Sequence, residues 1–207
     1  MKLFLASANN SLSLIAKRLP KKGKGVKVLF IANASDNYSG DRWWIEADRN
    51  AFKKIGCEII EVDLRKTNEK GFVNLLKTAQ VIHFCGGSVL YLTSLIRERK
   101  LEKSLIKNVK QGKIVYSGTS AGSMITSSDL RLSSYDDEDK EYAEKMKDFS
   151  GLGLVNFLII PHTNNKDFVK SNIQMVEHLS ENLQPLIFIN DNQVVWVEND
   201  NFSILSV

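Results

Sequence analysis

The sequence predicts an α/β fold in which a single domain, residues 1–207, is built on a mainly parallel β-sheet. The chain has 207 residues, a length that suits one domain with one sizeable core. Hydrophobic residues make up 43% and charged residues 25%, so the composition is that of an ordinary globular protein. Short apolar runs alternate with longer amphipathic stretches, which is the pattern of strands joined by crossover helices.

The first half of the chain shows this alternation clearly. Its apolar runs predict five strands, at residues 3–6, 26–32, 58–62, 81–84 and 113–116. Amphipathic stretches between them predict helices at residues 43–55, 72–79 and 89–110, the last broken around Lys100. Gly56 stands where a glycine commonly ends a helix.

The second half begins with a polar, acidic stretch, residues 127–150, which we expect to shape or cover a site. A strand is predicted at residues 155–160 and a helix at residues 168–181. Three further strands are predicted at residues 186–190, 194–197 and 202–205, separated by Asp-Asn and Asn-Asp pairs that indicate tight turns.

Charge and cysteine content exclude several classes of function. The formal net charge of +4 is small, and the densest basic stretch, residues 17–27, contains no aromatic residue that could stack on bases. We expect a solvated surface turn there, with a phosphate-binding patch as the alternative, and no nucleic-acid partner. Cys57 and Cys85 are not spaced for a disulfide framework or a zinc site, so we expect neither a metal nor another cofactor.

The apolar runs are too short for a membrane protein. None approaches the length needed to span a bilayer, and the N-terminal run becomes polar at residues 7–10, too early for a signal-peptide core. We therefore expect a cytoplasmic protein with no membrane partner.

Residues 118–122 (Gly-Thr-Ser-Ala-Gly) fit the nucleophile-elbow pattern G-x-S-x-G, which places a serine on a sharp strand-to-helix turn. A buried strand precedes the pattern and a stretch able to start a helix follows it. Ser120 is therefore the candidate nucleophile, and the N–H of Ala121 is placed to meet an oxyanion. The alternative is an ordinary turn built from small residues.

A second glycine pair, Gly86 and Gly87, also follows a buried strand. Such a loop can bring a second backbone N–H against a substrate carbonyl, which would complete an oxyanion hole with Ala121. A tight turn without a ligand role is the alternative. A dinucleotide or Walker phosphate loop is not indicated, because neither glycine pattern occurs.

The general base can be argued by elimination, because the chain has three histidines. A serine needs a neighbouring base to accept its proton at neutral pH. His83 lies within a predicted buried strand and is expected to be a hydrogen-bonded core residue. His178 lies in an amphipathic helix and is expected to be solvated. His162 follows a strand at the edge that should also hold Ser120, so it is the candidate base.

The third member of a triad is open on the residues alone. A carboxylate should fix the imidazole tautomer and stabilise its protonated form. The acids within reach in the sequence are Asp129, Asp136, Asp137, Glu138, Asp139 and Asp167. Most of these must be solvated surface charges.

These residues resemble the peptidase E family of serine peptidases, the aspartyl dipeptidase group that also includes cyanophycinases. The likeness covers about the first four-fifths of the chain and runs in order through its motifs. They are the N-terminal strand ending in Ser7, the loop at residues 85–88, the charged stretch 97–99, the elbow at 118–122 and Pro-His-Thr-Asn at 161–164.

The resemblance implies a three-layer sandwich similar to class I glutamine amidotransferases. It implies Ser120 as nucleophile and His162 as base, with Gly87 and Ala121 as oxyanion donors and Gly86, Ser88 and Asn164 near the substrate. The position of the family's acid is occupied here by Tyr135, so Asp136 is the nearest candidate and Asp137 the next.

Two departures from the family pattern concern the substrate. The glycine loop has Cys85 and Ser88 where the family usually has glycine and asparagine, and the Gly-, His- and Arg-rich insert of the aspartyl dipeptidases is missing after Asn164. We therefore expect a serine exopeptidase or dipeptidase acting on short peptides, without a carried-over preference for N-terminal aspartate. The alternatives are a cyanophycinase-like hydrolase of β-aspartyl peptides and a non-catalytic ligand-binding protein.

Overall fold

The computed structural model describes residues 1–181 and 184–207, and nine β-strands form its framework. In chain order the strands are β1 (Lys2–Ala6), β2 (Lys27–Ile31), β3 (Glu58–Glu61), β4 (Val81–Phe84), β5 (Val115–Thr119), β6 (Leu158–Ile160), β7 (Leu186–Phe188), β8 (Gln193–Glu198) and β9 (Asn201–Ser206). Seven of them form one sheet in the order β3-β2-β4-β5-β1-β8-β9, and β6 and β7 pair separately. The five strands from β3 to β1 are parallel, whereas β8 and β9 are antiparallel additions.

Within the described residues, seven α-helices connect and cover these strands. They are α1 (Trp43–Lys54), α2 (Glu69–Leu76), α3 (Val89–Glu98), α4 (Glu102–Lys110), α5 (Ala121–Met124), α6 (Lys140–Ala143) and α7 (Val169–Val176). Lys100 has a φ of 59° between α3 and α4, so the predicted break in the long helix is confirmed. Helix α2 begins three residues before its predicted start. Asn68 precedes its first residue and caps it, because the Asn68 side chain accepts the Gly71 N–H at 2.8 Å.

Alternating side chains of the central strands create two apolar cores, one on each face of the large sheet. In β1, Leu3 and Leu5 face one core, and Phe4 and Ala6 face the other. Helices α2 to α5 cover the first face, and α1 with the 3-10 segment Asn9–Arg18 covers the second. The result is a three-layer α/β sandwich with a mainly parallel sheet, as the sequence predicts.

Two strands differ most from their predicted bounds, and both differences concern the site. Strand β5 begins at Val115 and continues through Thr119, because its last residues pair with the end of β1: Leu5 lies opposite Gly118 and Ala6 opposite Thr119. Strand β6 has three residues instead of six, because its pairing with β7 begins only at Leu158. Both strands end where a site residue follows.

The polar stretch at residues 127–150 is folded onto the body of the protein. It contains the 3-10 segment Arg131–Tyr135 and helix α6, and an isolated bridge between Asp129 and Ser150 closes it. Leu130 and Leu132 are buried in the larger core, which anchors the segment. In the described part of the chain, no helix combines the length and apolar character that crossing a membrane requires.

Candidate active site

The turn after β5 carries Ser120 in a strained backbone conformation, with φ 48° and ψ −116°. Gly118 and Gly122 make this turn possible. A Cβ at Gly118 would lie 2.3 Å from the carbonyl of Gly122, and a Cβ at Gly122 would lie 2.0 Å from the carbonyl oxygen of Phe84. The Ser120 N–H donates to two carbonyl oxygens at the end of β1, at 3.0 and 3.1 Å. The predicted elbow is therefore a sharp strand-to-helix turn held by close backbone packing.

Ser120 and His162 line the same cavity, which has a volume of about 170 Å³. Both also line an adjoining cavity of about 30 Å³. The Ser120 Oγ has no hydrogen-bond partner among residues 1–181 and 184–207, so the imidazole of His162 makes no hydrogen bond to it. A loose arrangement of this kind is common in ligand-free sites and tightens when substrate binds.

His162 enters this cavity from the other sheet, directly after β6 and Pro161. Its backbone has a φ of 60°, and its N–H donates to the Ser7 Oγ at 2.7 Å. The imidazole stacks on Phe168 with 4.0 Å between ring centroids, and its Nδ1 lies 2.6 Å from Oδ1 of Asp191. Within the described residues the Nε2 atom has no partner, so it is the nitrogen left for the serine.

Asp191 is the carboxylate beside the imidazole, and the sequence analysis did not identify it. Strands β6 and β7 are parallel neighbours with Ile160 opposite Phe188, so the residues that follow both strands emerge at one edge. His162 follows β6 and Asp191 follows β7. The signal in the sequence was the predicted strand at residues 186–190, which Asp191 directly follows, but nothing local indicates which strand is its neighbour.

The Asp191 carboxylate is held in its ionised form. Burial by itself raises its pKa, but the hydrogen bond and charge of His162, with hydrogen bonds from Ser7 and Asn165, bring the pKa below its usual value. Ser7 donates to Oδ1 at 2.8 Å, so the end of β1 touches both the histidine and its acid. The arrangement can polarise a hydroxyl placed at Nε2.

The predicted acid, Asp136, makes no hydrogen bond to His162 among the described residues, and Asp191 takes that place, which corrects the expectation drawn from chain position. Its Oδ2 accepts the Ser171 hydroxyl at 2.5 Å and its Oδ1 accepts the Glu138 N–H at 3.1 Å, so it fastens the polar segment to α7. The other acids considered make no hydrogen bond to His162 within the described residues. They are Asp129, Asp137, Glu138, Asp139 and Asp167.

The two predicted oxyanion donors lie near the serine, one in the cavity lining and one directly after it in the chain. Gly87 lines the cavity with Gly86, and its φ of 139° and close approach to Ala34 exclude a side chain there. Ala121 directly follows Ser120 at the start of α5. Neither the Gly87 N–H nor the Ala121 N–H has an acceptor in the described part of the chain, so both can bind a ligand oxygen.

Ser88 and Asn164 do not line the cavity, which corrects their assignment to substrate contact. The Ser88 hydroxyl accepts the Tyr91 N–H at 3.0 Å, capping α3, and donates to Asp139. Burial raises the pKa of Asp139 to about 7. Asn164 Oδ1 accepts the Asp191 N–H at 2.9 Å. Both side chains therefore hold neighbouring segments of the site in place through these hydrogen bonds.

Part of the cavity lining is aromatic. Tyr38 and Trp44 meet edge to face with 5.2 Å between ring centroids, and Trp43 beside them is 62% exposed. The Tyr38 hydroxyl donates to the carboxylate of Glu138, which also lines the cavity.

One group of potential metal ligands lies close behind the cavity. The donor atoms of Asp48, His83 and Cys85 are within 4.8 Å of one another and all three residues are buried. Hydrogen bonds already pair their polar atoms: His83 Nε2 lies 3.1 Å from Asp48 Oδ2, and its Nδ1 lies 3.0 Å from the Ser117 Oγ. Thr119 donates to the same Asp48 oxygen at 2.5 Å. This confirms His83 as a hydrogen-bonded core residue, in a network that supports β5 just before Ser120.

Comparisons with known proteins relate the chain to peptidases. The family model for Peptidase family S51 matches residues 3–205. An uncharacterized peptidase of Pasteurella multocida is 28% identical over 199 residues, which cover 96% of this chain and 94% of the relative. Peptidase E of Nostoc sp. is 29% identical over 166 residues, which cover 79% of this chain and 64% of the relative. The crystal structure of a candidate peptidase E from Listeria monocytogenes shares the fold, with a TM-score of 0.87 at 22% identity, and covers 100% of this chain and 98% of that one.

Proposed function

Because the chain belongs to Peptidase family S51 and is a peptidase, we propose that it is a serine exopeptidase that hydrolyses short peptides through an acyl-enzyme on Ser120. His162 acts as the general base, and Asp191 orients and stabilises its imidazole. For location we propose the cytoplasm, because both cysteines, Cys57 and Cys85, are free thiols and disulfides are rare there.

One observation carries the proposal: Ser120 and His162 line one cavity, and a carboxylate bonds Nδ1 of the imidazole, which leaves Nε2 without a partner among the described residues. A serine nucleophile needs a base, and the base needs a group that fixes its tautomer. With Asp191 at Nδ1, the neutral imidazole carries its proton there and keeps Nε2 free to accept the proton of Ser120.

The reaction then proceeds by acyl transfer. As the Ser120 Oγ bonds to the peptide carbonyl carbon, its proton moves to His162 Nε2 and the carbonyl oxygen becomes an oxyanion. The N–H groups of Gly87 and Ala121 donate to that oxygen. The oxyanion re-forms the carbonyl as the C–N bond breaks, and His162 gives its proton to the leaving amine. Water then attacks the ester and gives a proton to His162, which passes it to the Ser120 Oγ as the bond between that oxygen and the acyl carbon breaks.

The size of the cavity supports short substrates. Its volume of about 170 Å³ is small compared with typical ligand sites of roughly 300 Å³ or more. A space of this size receives about one residue on one side of the scissile bond, which is what an exopeptidase needs.

Covalent labelling tests the proposal without knowledge of the substrate. A fluorophosphonate should form one adduct, which peptide mapping by mass spectrometry assigns to Ser120, and Ser120→Ala should remove it. Hydrolysis of a dipeptide panel with α- and β-linked aspartyl members then separates a dipeptidase from a β-aspartyl hydrolase. A folded protein that forms no adduct and cleaves no member of the panel would refute the proposal and favour the ligand-binding alternative.

A further inference from the structure

The charged side chains that line the cavity indicate which charges a substrate can carry. Its lining contains two acids, Asp48 and Glu138, and no lysine or arginine among the described residues. The carboxylate of Asp48 is 2% exposed and is engaged by His83 and Thr119, so it faces the interior. Glu138 is therefore the carboxylate that a ligand can reach.

Glu138 lies near the reacting groups with one oxygen free. It lines both the larger cavity and the small adjoining one, together with Ser120 and His162. The Tyr38 hydroxyl donates to its Oε2, and Oε1 has no hydrogen-bond partner within residues 1–181 and 184–207. The residue is exposed overall, yet burial of the carboxylate raises its pKa above the usual value. A cation bound at Oε1 would offset that cost of burial.

The backbone geometry of a peptide indicates which cation reaches this position. The α-nitrogen of the first residue lies two bonds from the carbonyl carbon that Ser120 attacks, about 2.5 Å away from standard bond lengths. A group that binds the α-ammonium must therefore lie close to the nucleophile. Asp136 and Asp139 are also close, but their oxygens are engaged by Ser171, by Ser88 and by backbone N–H groups.

We propose that Glu138 binds the free α-ammonium of the substrate, and that the enzyme selects peptides whose first residue is apolar or aromatic. This inference rests on the proposed function. The first side chain packs against Tyr38, Trp43 and Trp44. The exposed ring of Trp43 beside an aromatic wall is the type of surface that apolar ligands cover.

The same lining disfavours an acidic first residue. A substrate carboxylate would lie in a cavity that already holds Glu138, and no cationic side chain of the described lining would pair with it. Like charges in a partly desolvated site repel each other, and a buried carboxylate without a partner is costly. Aspartyl peptides are therefore expected to be poor substrates.

Matched peptides and matched variants test the assignment. The assay measures hydrolysis of three peptides: Phe-Leu, N-acetyl-Phe-Leu and Asp-Leu. Each is tested with the wild-type enzyme, with Glu138→Gln and with Glu141→Gln. Glu141 is the matched control, because it is exposed and pairs with Lys145 outside the cavity. We expect kcat/KM to fall about thirtyfold on acetylation and at least about tenfold for Asp-Leu. Glu138→Gln should remove the advantage of the free amine, and Glu141→Gln should keep it. Equal rates for free and acetylated peptides, faster cleavage of Asp-Leu, or an unchanged ratio in Glu138→Gln would overturn the inference.

A binding arm separates this inference from the proposed function. Calorimetry with the Ser120→Ala protein compares phenylalaninamide with N-acetyl-phenylalaninamide, and needs no turnover. Tighter binding of the free amine, lost when Glu138→Gln is added, supports the inference whether or not the wild-type serine reacts with a fluorophosphonate. Equal binding of the two amides refutes it, even where labelling of Ser120 upholds the peptidase mechanism.

Discussion

Replacing Asp191 with asparagine tests the pairing that the sequence analysis missed. Asp191→Asn keeps the shape of the side chain but removes its charge, and its amide can donate to Nδ1 of His162. The imidazole proton would then move to Nε2, and His162 could no longer accept the proton of Ser120. The expected result is an intact fold with a severely slowed enzyme.

The size of the effect follows from the contact. The Nδ1 and Oδ1 atoms are 2.6 Å apart, and the two side chains are 10% and 16% exposed. Charges centred about 4 Å apart in a surrounding with an effective dielectric constant near 20 attract by about 4 kcal/mol. At 1.36 kcal/mol per factor of ten, this corresponds to a loss of about a thousandfold in kcat. The tautomer change acts in the same direction.

Steady-state hydrolysis of a cleaved dipeptide measures this loss, with thermal unfolding as the check on folding. Asp136→Asn is the matched control, because the Asp136 carboxylate bonds Ser171 and the Glu138 N–H and not the imidazole, and its kcat should stay within about threefold of wild type. An Asp191→Asn enzyme of near-normal activity beside an inactive Asp136→Asn enzyme would refute the pairing and restore the acid chosen from chain position.

Three further perturbations test the support of the site. Ser7→Ala removes a hydroxyl that touches both members of the imidazole–carboxylate pair, so kcat should fall about tenfold or more with KM unchanged, as steady-state kinetics will show. Gly122→Ala places a Cβ 2.0 Å from the Phe84 carbonyl oxygen and should cost about 3 kcal/mol or more in urea unfolding, whereas Gly40→Ala, with open space around it, should cost little. Burial raises the pKa of Asp139 to about 7, so the native protein retains a proton there that the unfolded chain releases near pH 4. The free energy of unfolding should therefore fall as the pH rises from about 4 through about 7, and Asp139→Asn should flatten that decline; a slope unchanged by the substitution would contradict the assignment.

The elbow and the alternation of strands and helices along the chain were predictable because their signals are local. Gly118 and Gly122 are spaced around Ser120 in a way that only a sharp strand-to-helix turn requires, and a buried strand precedes them. His162 could be chosen because few histidines compete with it and it follows a strand. Each of these inferences uses neighbours within a few positions in the sequence.

Asp191 was not predictable in the same way, because its role depends on which strands are neighbours. β6 and β7 have three residues each, and 25 residues separate Ile160 from Leu186. The sequence gives no register for such a pair. The acidic run near residue 136 is closer to Ser120 in the chain, but Ser171 and the Glu138 N–H fix Asp136 elsewhere. Ser88 and Asn164 were assigned to substrate contact for a related reason. A polar side chain in a loop can cap a helix or hold a turn instead of meeting a ligand, and the sequence does not distinguish these roles.

The nucleophile belongs to the seven-stranded sheet, while the base and its acid belong to the two-stranded one. A pair of three-residue strands is marginal without its surroundings, and such regions open at lower free energy than a large core. Mild heating or low denaturant should thus uncouple the imidazole from the serine while most of the molecule remains native. Loss of activity at a lower temperature or denaturant concentration than global unfolding would show that the catalytic residues are held by two sheets of unequal stability.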